Sequence, residues 1–402
     1  MLAIVIVTPL RAFAQTPAPP PEAAPPPAAP PPAEAPPAAA PAPAPMAAPA
    51  AAPAPAAAPA APAPKITWGG LVDAYYMYLF NKQSGVNTLN GASNVRQFDT
   101  NTNSATLSLA ALSLNAAIDP VAFQLDMGYG STGTIINAAN GVVPGMSSAM
   151  TPGAPGSFIV LQAYGTITVL PQLTLDFGKF YTTAGAEVVP ANKNWLYSRS
   201  LLFFNIPLLH TGARANIKVN DMLTLQGSVV NGWNDDPDVN AWKTIGLSAS
   251  ITVNPMVSII ATTYFGKEAP QGAAPDVPLD MRFLADLVGA FTINDKLGLN
   301  VNFDYVKAFD NVAADYFVGI AGMGRYVISD HVNIAARGEF ARAHAGVNAD
   351  AFEGTAMVGI DVGKNFELRP EFRYDHLGQS AIFTSNGKSD QVTGTLAALT
   401  WF

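Results

Sequence analysis

The sequence predicts an all-β fold: a closed antiparallel transmembrane β-barrel of about sixteen strands, preceded by a disordered arm rich in proline and alanine. Three observations predict it. Residues after Lys65 fall into short segments whose apolar and polar side chains alternate. The connections between these segments are, in strict alternation, tight turns and long polar stretches. Hydrophobic residues make up 49% of the chain, yet no run of eighteen apolar residues exists, so a membrane crossing would need strands rather than a helix.

The chain opens with a short apolar stretch, Leu2 to Val7, followed by Ala12-Phe13-Ala14. That small-x-small pattern reads as a signal-peptidase site, so residues 1–14 are expected to be an export signal whose basic end is missing, either because the natural start lies upstream or because the chain is clipped. Residues 15–64 are almost entirely Pro and Ala, with Glu22 and Glu34 the only charges. Such a segment buries no core and lacks many backbone donors, so it is expected to stay extended as a periplasmic linker. At about 3.1 Å per residue it would reach at most roughly 150 Å.

Residues 65–402 carry the barrel pattern. In "FELRPEFRYD", Phe366, Leu368, Pro370, Phe372 and Tyr374 share one face, and Glu367, Arg369, Glu371, Arg373 and Asp375 share the other. Period two is the signature of a strand, whose successive side chains point to opposite faces. "LGLNVNFDY", "VNIAARGEF" and "AFQLDMGY" repeat it. "TLSLAALSLNAAI" changes phase near Ala110, as a bulge would make it do. Seven tight turns are expected at 119–120, 171–172, 220–221, 254–255, 294–295, 329–330 and 364–365. The long connections are expected at 82–103, 131–157, 181–209, 232–242, 267–281, 308–315, 343–352 and 377–390.

Bacterial barrels have an even number of tilted strands, short turns at one end and long loops at the other. They close because an open edge in lipid leaves backbone groups unpaired. "QVTGTLAALTWF" would therefore pair with "ITWGGLVDAYYMYLF", with Val392, Leu396, Ala398 and Phe402 on the lipid face. The final Phe402 resembles the C-terminal signature of outer-membrane barrels. Trp68, Tyr76, Tyr78, Tyr129, Tyr305 and Tyr374 lie near strand ends, where aromatic girdles meet the interfaces.

A barrel this wide cannot be filled by its own wall, so it is expected to enclose water. The alternation puts Asp73, Asp126, Asp176, Asp304, Arg337, Glu339, Glu367, Arg369, Glu371, Arg373 and Asp375 inside as candidates to line a passage. The connection around 181–209 is unusually apolar for an exposed loop, with Trp195, Leu201, Leu202, Phe203, Phe204 and Ile206. It is expected to fold inward and to narrow the passage with Glu187, Lys193 and Arg199. Carboxylates outnumber arginines on the inferred wall, which favours cations by field arguments alone, although Arg199 and Lys193 at a constriction would reverse that.

Other chemistries find little support. A net charge of −8 disfavours a nucleic-acid partner, and the absence of cysteine removes Cys nucleophiles and Cys-based metal sites. His210, His331, His344 and His376 accompany no nucleophile motif, so no enzyme, cofactor or metal is expected. "GYGSTG" at 128–133 looks like a glycine-rich phosphate cradle, but it ends a strand and no helix is expected after it.

The segments "LDFGKF", "GAEV", "YSRSLLFFNIPLLHTG", "VVNGWND" and "DVNAWKTIG" resemble the β-barrel porin-2 (OmpL-like) family of outer membranes. The resemblance covers roughly 66–402 and is densest between Leu175 and Gly246. It implies family-type positions at Gly178, Glu187, Tyr197, Arg199, Ser200, His210, Gly212, Asn231, Gly232, Trp233 and Asn234. It also implies passive diffusion of small hydrophilic solutes or ions through the outer membrane of a Gram-negative bacterium, with lipid around the barrel. Analogy with general sixteen-strand porins adds a homotrimer. The Pro/Ala arm lies outside the family pattern. An alternative reading is a structural anchor whose arm, residues 16–64, contacts the cell wall or a periplasmic partner.

Overall fold

The computed structural model describes residues 64–81, 96–139, 157–236, 238, 240–268, 279–308, 316–344, 347–378, 383 and 386–402. The expected export signal and all of the Pro/Ala arm except Pro64 lie outside the described residues. The strands are β1 (Lys65–Leu79), β2 (Ala105–Ile118), β3 (Val121–Tyr129), β4 (Phe158–Leu170), β5 (Leu173–Tyr181), β6 (Leu209–Lys218), β7 (Leu223–Val230) and β8 (Thr244–Asn254). The second half comprises β9 (Val257–Glu268), β10 (Asp280–Thr292), β11 (Leu297–Ala308), β12 (Tyr316–Ser329), β13 (Val332–His344), β14 (Asn348–Asp361), β15 (Phe366–Leu377) and β16 (Asp390–Trp401). Each strand pairs antiparallel with its sequence neighbours, and β1 closes the ring on β16. Sixteen strands and closure are what the alternation predicts. No helix among the described residues is long and apolar enough to cross a membrane.

Period-two patterning sorts the wall into two faces. On β13, Asn333, Ala335, Arg337, Glu339 and Ala341 are buried while Ile334 and Ala336 are exposed. Outward positions around the ring carry Leu112, Phe177, Leu247, Phe265, Leu287, Phe303, Ile320, Phe372 and Leu396, all exposed. This apolar belt is solvated by hydrocarbon rather than water. A shallow apolar cavity of about 800 Å³ opens on the same outer surface, where Gly324, Ala336, Ala356 and Gly394 lie between Tyr76, Ile334 and Phe372. Trp68 is the most exposed of the expected girdle residues, at 68%.

The β1–β16 seam depends on one small residue. Gly70 and Phe402 exchange backbone hydrogen bonds of 3.2 and 3.1 Å. The Phe402 ring lies over Gly70, where an added Cβ would come within 2.3 Å of it. Val392, Leu396, Ala398 and Phe402 lie on the outward face, as the alternation predicts. The phase change near Ala110 is a bulge: Asp73 pairs with Leu109 and Ala74 with Leu107, leaving Ser108 as the extra residue of β2.

All seven tight connections are present. The structure differs from the expectation at two long ones. Only three residues separate His344 from Asn348, so the stretch 343–352 is mostly strand. The Tyr316 and His344 rings stack there at 5.3 Å, and Arg342 pairs with Asp350, which extends the hairpin upward. The second difference follows β3, where a helix, α1 (Ser131–Ala139), begins immediately after "GYG". Its first turn is occupied by the wall: Thr132 Oγ1 lies 3.1 Å from Ser108 Oγ, and Gly133 presses on the Ser157 carbonyl. Ile136 of α1 is fully buried in the interior cluster.

Candidate functional site

The connection between β5 and β6 folds inward, as its apolar content predicts. Leu196, Leu201, Leu202, Phe203, Ile206 and Leu208 are all buried. Two short 3-10 turns, Ala191–Lys193 and Phe203–Asn205, bend it. Phe203 and Ile206 join Phe98, Ile136 of α1 and Leu109 of β2 in one cluster. Leu201 and Leu202 join Ala321, Ala335 and Met357 on β12–β14 in another. Ala191 and Tyr197 meet Tyr75, Met77 and Leu399 at the β1–β16 seam. Asn194 ties the chain to itself, accepting from the Val188 N–H at 2.9 Å and donating to its carbonyl at 2.7 Å.

A non-helical segment buried like this has backbone groups that need partners, because each unsatisfied one is costly. Wall side chains supply them. Glu371 accepts from the amides of Tyr197 (2.7 Å) and Ser198 (3.1 Å). Glu339 accepts from Leu201 N–H at 2.9 Å, and Glu187, within the segment, accepts from Ser200 N–H at 2.8 Å. Arginines answer the carbonyls: Arg337 donates to Ser198 O (2.8 Å), Arg373 to Arg199 O (2.6 Å) and Arg369 to Ala191 O (2.9 Å). Asn302 of β11 accepts from Ala186 N–H at 3.0 Å. The bent run Tyr197–Leu201 thus has its backbone groups answered by wall side chains in place of a neighbouring strand.

The clasp is charged at its centre. Arg337 pairs with Glu187 (2.9 Å), Glu339 (2.8 Å) and Glu353 (3.1 Å), all nearly inaccessible. Arg373 pairs with Asp375 at 2.7 Å, and Arg96, paired with Asp99 at 2.6 Å, extends the network. Buried ions of one sign are tolerated only where paired and hydrogen-bonded. The remaining candidates are equally engaged. Asp73 accepts from the Tyr197 hydroxyl at 2.9 Å. Asp126 accepts from Gln124 and Gln162, each at 2.6 Å. Asp176 accepts from Arg214 at 2.6 Å, Asp304 from Asn302 at 3.1 Å, and Glu367 from Arg369 at 2.8 Å.

Of the three charges expected to narrow a passage, two are turned into the protein. Glu187 serves Arg337 and Ser200. Arg199 donates to the carbonyls of Val188 (3.0 Å), Val189 (2.5 Å) and Tyr197, with its guanidinium over the rings of Phe98 and Phe203. Burial lowers the affinity of Arg199 for its proton, and the Glu187 carboxylate offsets part of that. Burial, followed by Asp73, holds the Tyr197 hydroxyl well above the ordinary phenol range. Lys193 alone is exposed.

Several engaged residues escaped the sequence reading. Glu353 is one, and its alternation in "AFEGTAM" would have found it had that stretch been read as strand. Asp286, which shares Asn302 with Asp304, is another. Arg96 and Asp99 had no local signal, because what places them is a contact distant in sequence, Phe98 against Phe203 of the inserted segment. Of the family-type positions, Glu187, Tyr197, Arg199 and Ser200 lie within the clasp and the others gather at the segment's two feet. Gly178 pairs with Gly212, and its φ of +133° puts the backbone where an added Cβ would meet the Ala163 carbonyl at 2.2 Å. His210 Nδ1 lies 2.9 Å from Gly232 O, and Asn234 accepts from the amides of Leu208 and Leu209. Among the other histidines, His344 lies against Asn348 and His376 against Asp390.

A closed sixteen-strand barrel with an apolar belt and a long connection folded into its interior defines an outer-membrane porin-type barrel. Residues 65–402 match the model of the family described as "Putative beta-barrel porin-2, OmpL-like", and the chain belongs to that family. Solved structures agree on the fold. An anion-selective porin from Comamonas acidovorans aligns with TM-score 0.60 at 10% identity, covering 85% of this chain and 100% of that one. OmpT of Vibrio cholerae, in a trimer form, aligns with TM-score 0.58 at 12% identity over 85% and 100% of the two chains. The outer-membrane channel DcaP of Acinetobacter baumannii aligns with TM-score 0.56 at 13% identity over 84% and 97%. No curated protein matches the sequence.

Proposed function

We propose that this porin passes small hydrophilic solutes and ions by passive diffusion, without catalysis, through water left between the inserted segment and the facing wall. The observation that carries this reading is the clasp on Tyr197–Leu201: the barrel commits buried charge from β13 and β15 to hold one connection inside. A connection held inside a barrel too wide for its own wall to fill narrows the water that the barrel encloses. The trimeric form of one structural neighbour supports a homotrimer as the working assembly. The alternation of tight and long connections supports placing the tight-turn end, and with it the Pro/Ala arm, in the periplasm.

Single-channel recording of the refolded protein in a planar bilayer tests the reading. Discrete steps that scale with salt are expected. Leu202 is fully buried and touches Gly319, so Leu202→Asp should undock the segment. The variant should show larger steps and new protease cleavage within 182–208. A folded wild-type barrel that stays silent would sink the channel reading and favour the anchor.

A further inference from the structure

On the reading that the barrel conducts, we infer that its narrow section prefers anions, with Arg214 and Lys193 as the groups that set the preference. The sequence points the other way, because inward carboxylates are abundant. Accessibility reverses it. Asp73, Asp176, Glu187, Glu339, Glu353, Glu371 and Asp375 are each at most 6% exposed, and a charge sealed under protein and matched by a partner acts weakly on a passing ion.

The inserted segment covers the wall of β1 and β11–β16, and α1 covers part of β2–β4. Among the described residues, what remains open is the tight-turn half of the inward face of β4–β8, since Leu161, Phe180, His210, Val230 and Thr244 nearer the long connections are buried. Its residues are neutral and half-buried, among them Thr166, Thr174, Asn216, Gln226 and Ser248. In their midst stands the pair Asp176–Arg214, and the arginine is its more accessible member, 14% against 5%. Arg214 spends Nε on Asp176, and its guanidinium lies 4.2 Å from the Phe180 ring centroid. Among the described residues it meets no second carboxylate within ion-pair distance. Lys193, at the bend where the segment turns back beside Ala191 and Asn194, is exposed and has no acidic partner among the described residues.

Accessible acids do occur, but at the two mouths. Asp235, Asp236 and Asp238 lie in the connection between β7 and β8, where Lys179 and Lys243 pair with the latter two. Asp361 stands at the tight-turn end, next to Arg325. A narrow section weighs more in selectivity than a wide vestibule. The ligand class is therefore a small anion, inorganic or carboxylate, crossing between Arg214 and Lys193.

The test is the reversal potential of the wild-type channel across a tenfold KCl gradient, followed by Lys193→Gln and the paired change Asp176→Asn with Arg214→Gln. The pair removes both charges, so no orphan carboxylate remains to disturb the fold. Lys193→Gln alters an exposed side chain and keeps the test intact if the paired variant fails to fold. Wild type should favour chloride. Lys193→Gln should lower the chloride-to-potassium permeability ratio by about two- to sixfold, as one charge at ~4–8 Å in water allows, and the paired change, which removes an arginine already partly offset by Asp176, should lower it by less. A conducting wild type that favours potassium overturns the inference and leaves the channel reading standing. Chloride preference that neither variant moves overturns the assignment to these residues. A silent, folded barrel overturns both readings together.

Discussion

Arg337 answers three carboxylates and two backbone carbonyls with one buried guanidinium. Removing it leaves Glu187, Glu339 and Glu353 in a dry space, with Arg373 beside Glu353 and Arg199 near Glu187 as remaining cations. Breaking a buried ion pair from one side costs about 3–5 kcal/mol. Arg337→Met should lower the temperature at which the folded gel band is lost, and should raise conductance as the clasp loosens. Asp235 offers a pH-dependent counterpart outside the wall. Burial and the Glu268 carboxylate push its carboxyl up to about 7 from an ordinary 3.8. The folded state therefore holds that proton more tightly than the unfolded chain does. Its contribution to stability is full below about pH 4 and is lost as pH rises through 7. Asp235→Asn cannot ionise, so it should stabilise the protein at pH 8 and give no gain at pH 4. Thermal unfolding at the two values checks the difference.

The strands and turns are the most legible elements, because both depend on neighbours in sequence. Parity assigned Asp73, Asp126, Arg337 and Arg373 to the inward face, and turn residues located all seven tight hairpins. The β13–β14 connection read as too long because Ala343, Ala349 and Ala351 carry little apolar contrast, and pairing with β12 and β15 makes them strand. The helix α1 escaped for a similar reason: its glycine and threonines read as a loop until Ser108 and Ser157 of the wall bind its start. The seam between the first and last strands gives a direct test of closure. Gly70→Val would drive a side chain into the Phe402 ring, so the folded, heat-modifiable fraction should fall. Adding Phe402→Ala should restore it.

For the whole molecule, the outer belt and the inner clasp do different work. The belt matches the barrel to hydrocarbon, and a charge within it is costly. Leu247, exposed at 56% near the middle of β8, should lose about 2–4 kcal/mol on replacement by Arg, read from denaturant unfolding in lipid vesicles. Channel currents should be unaffected by that change, because the side chain lies on the far side of the wall from the interior. The sequence alone determined the fold class, the strand count, the closing pair and which face each side chain takes, since all of these follow from the two-residue period and the obligation to pair every backbone group in lipid. Only the tertiary structure decided which inward charges still meet water. The inserted segment lands on carboxylates more than 130 residues away in the chain, at Glu339 and Glu371, and no local pattern encodes that meeting. Burial under that segment turns the wall's acids into fasteners.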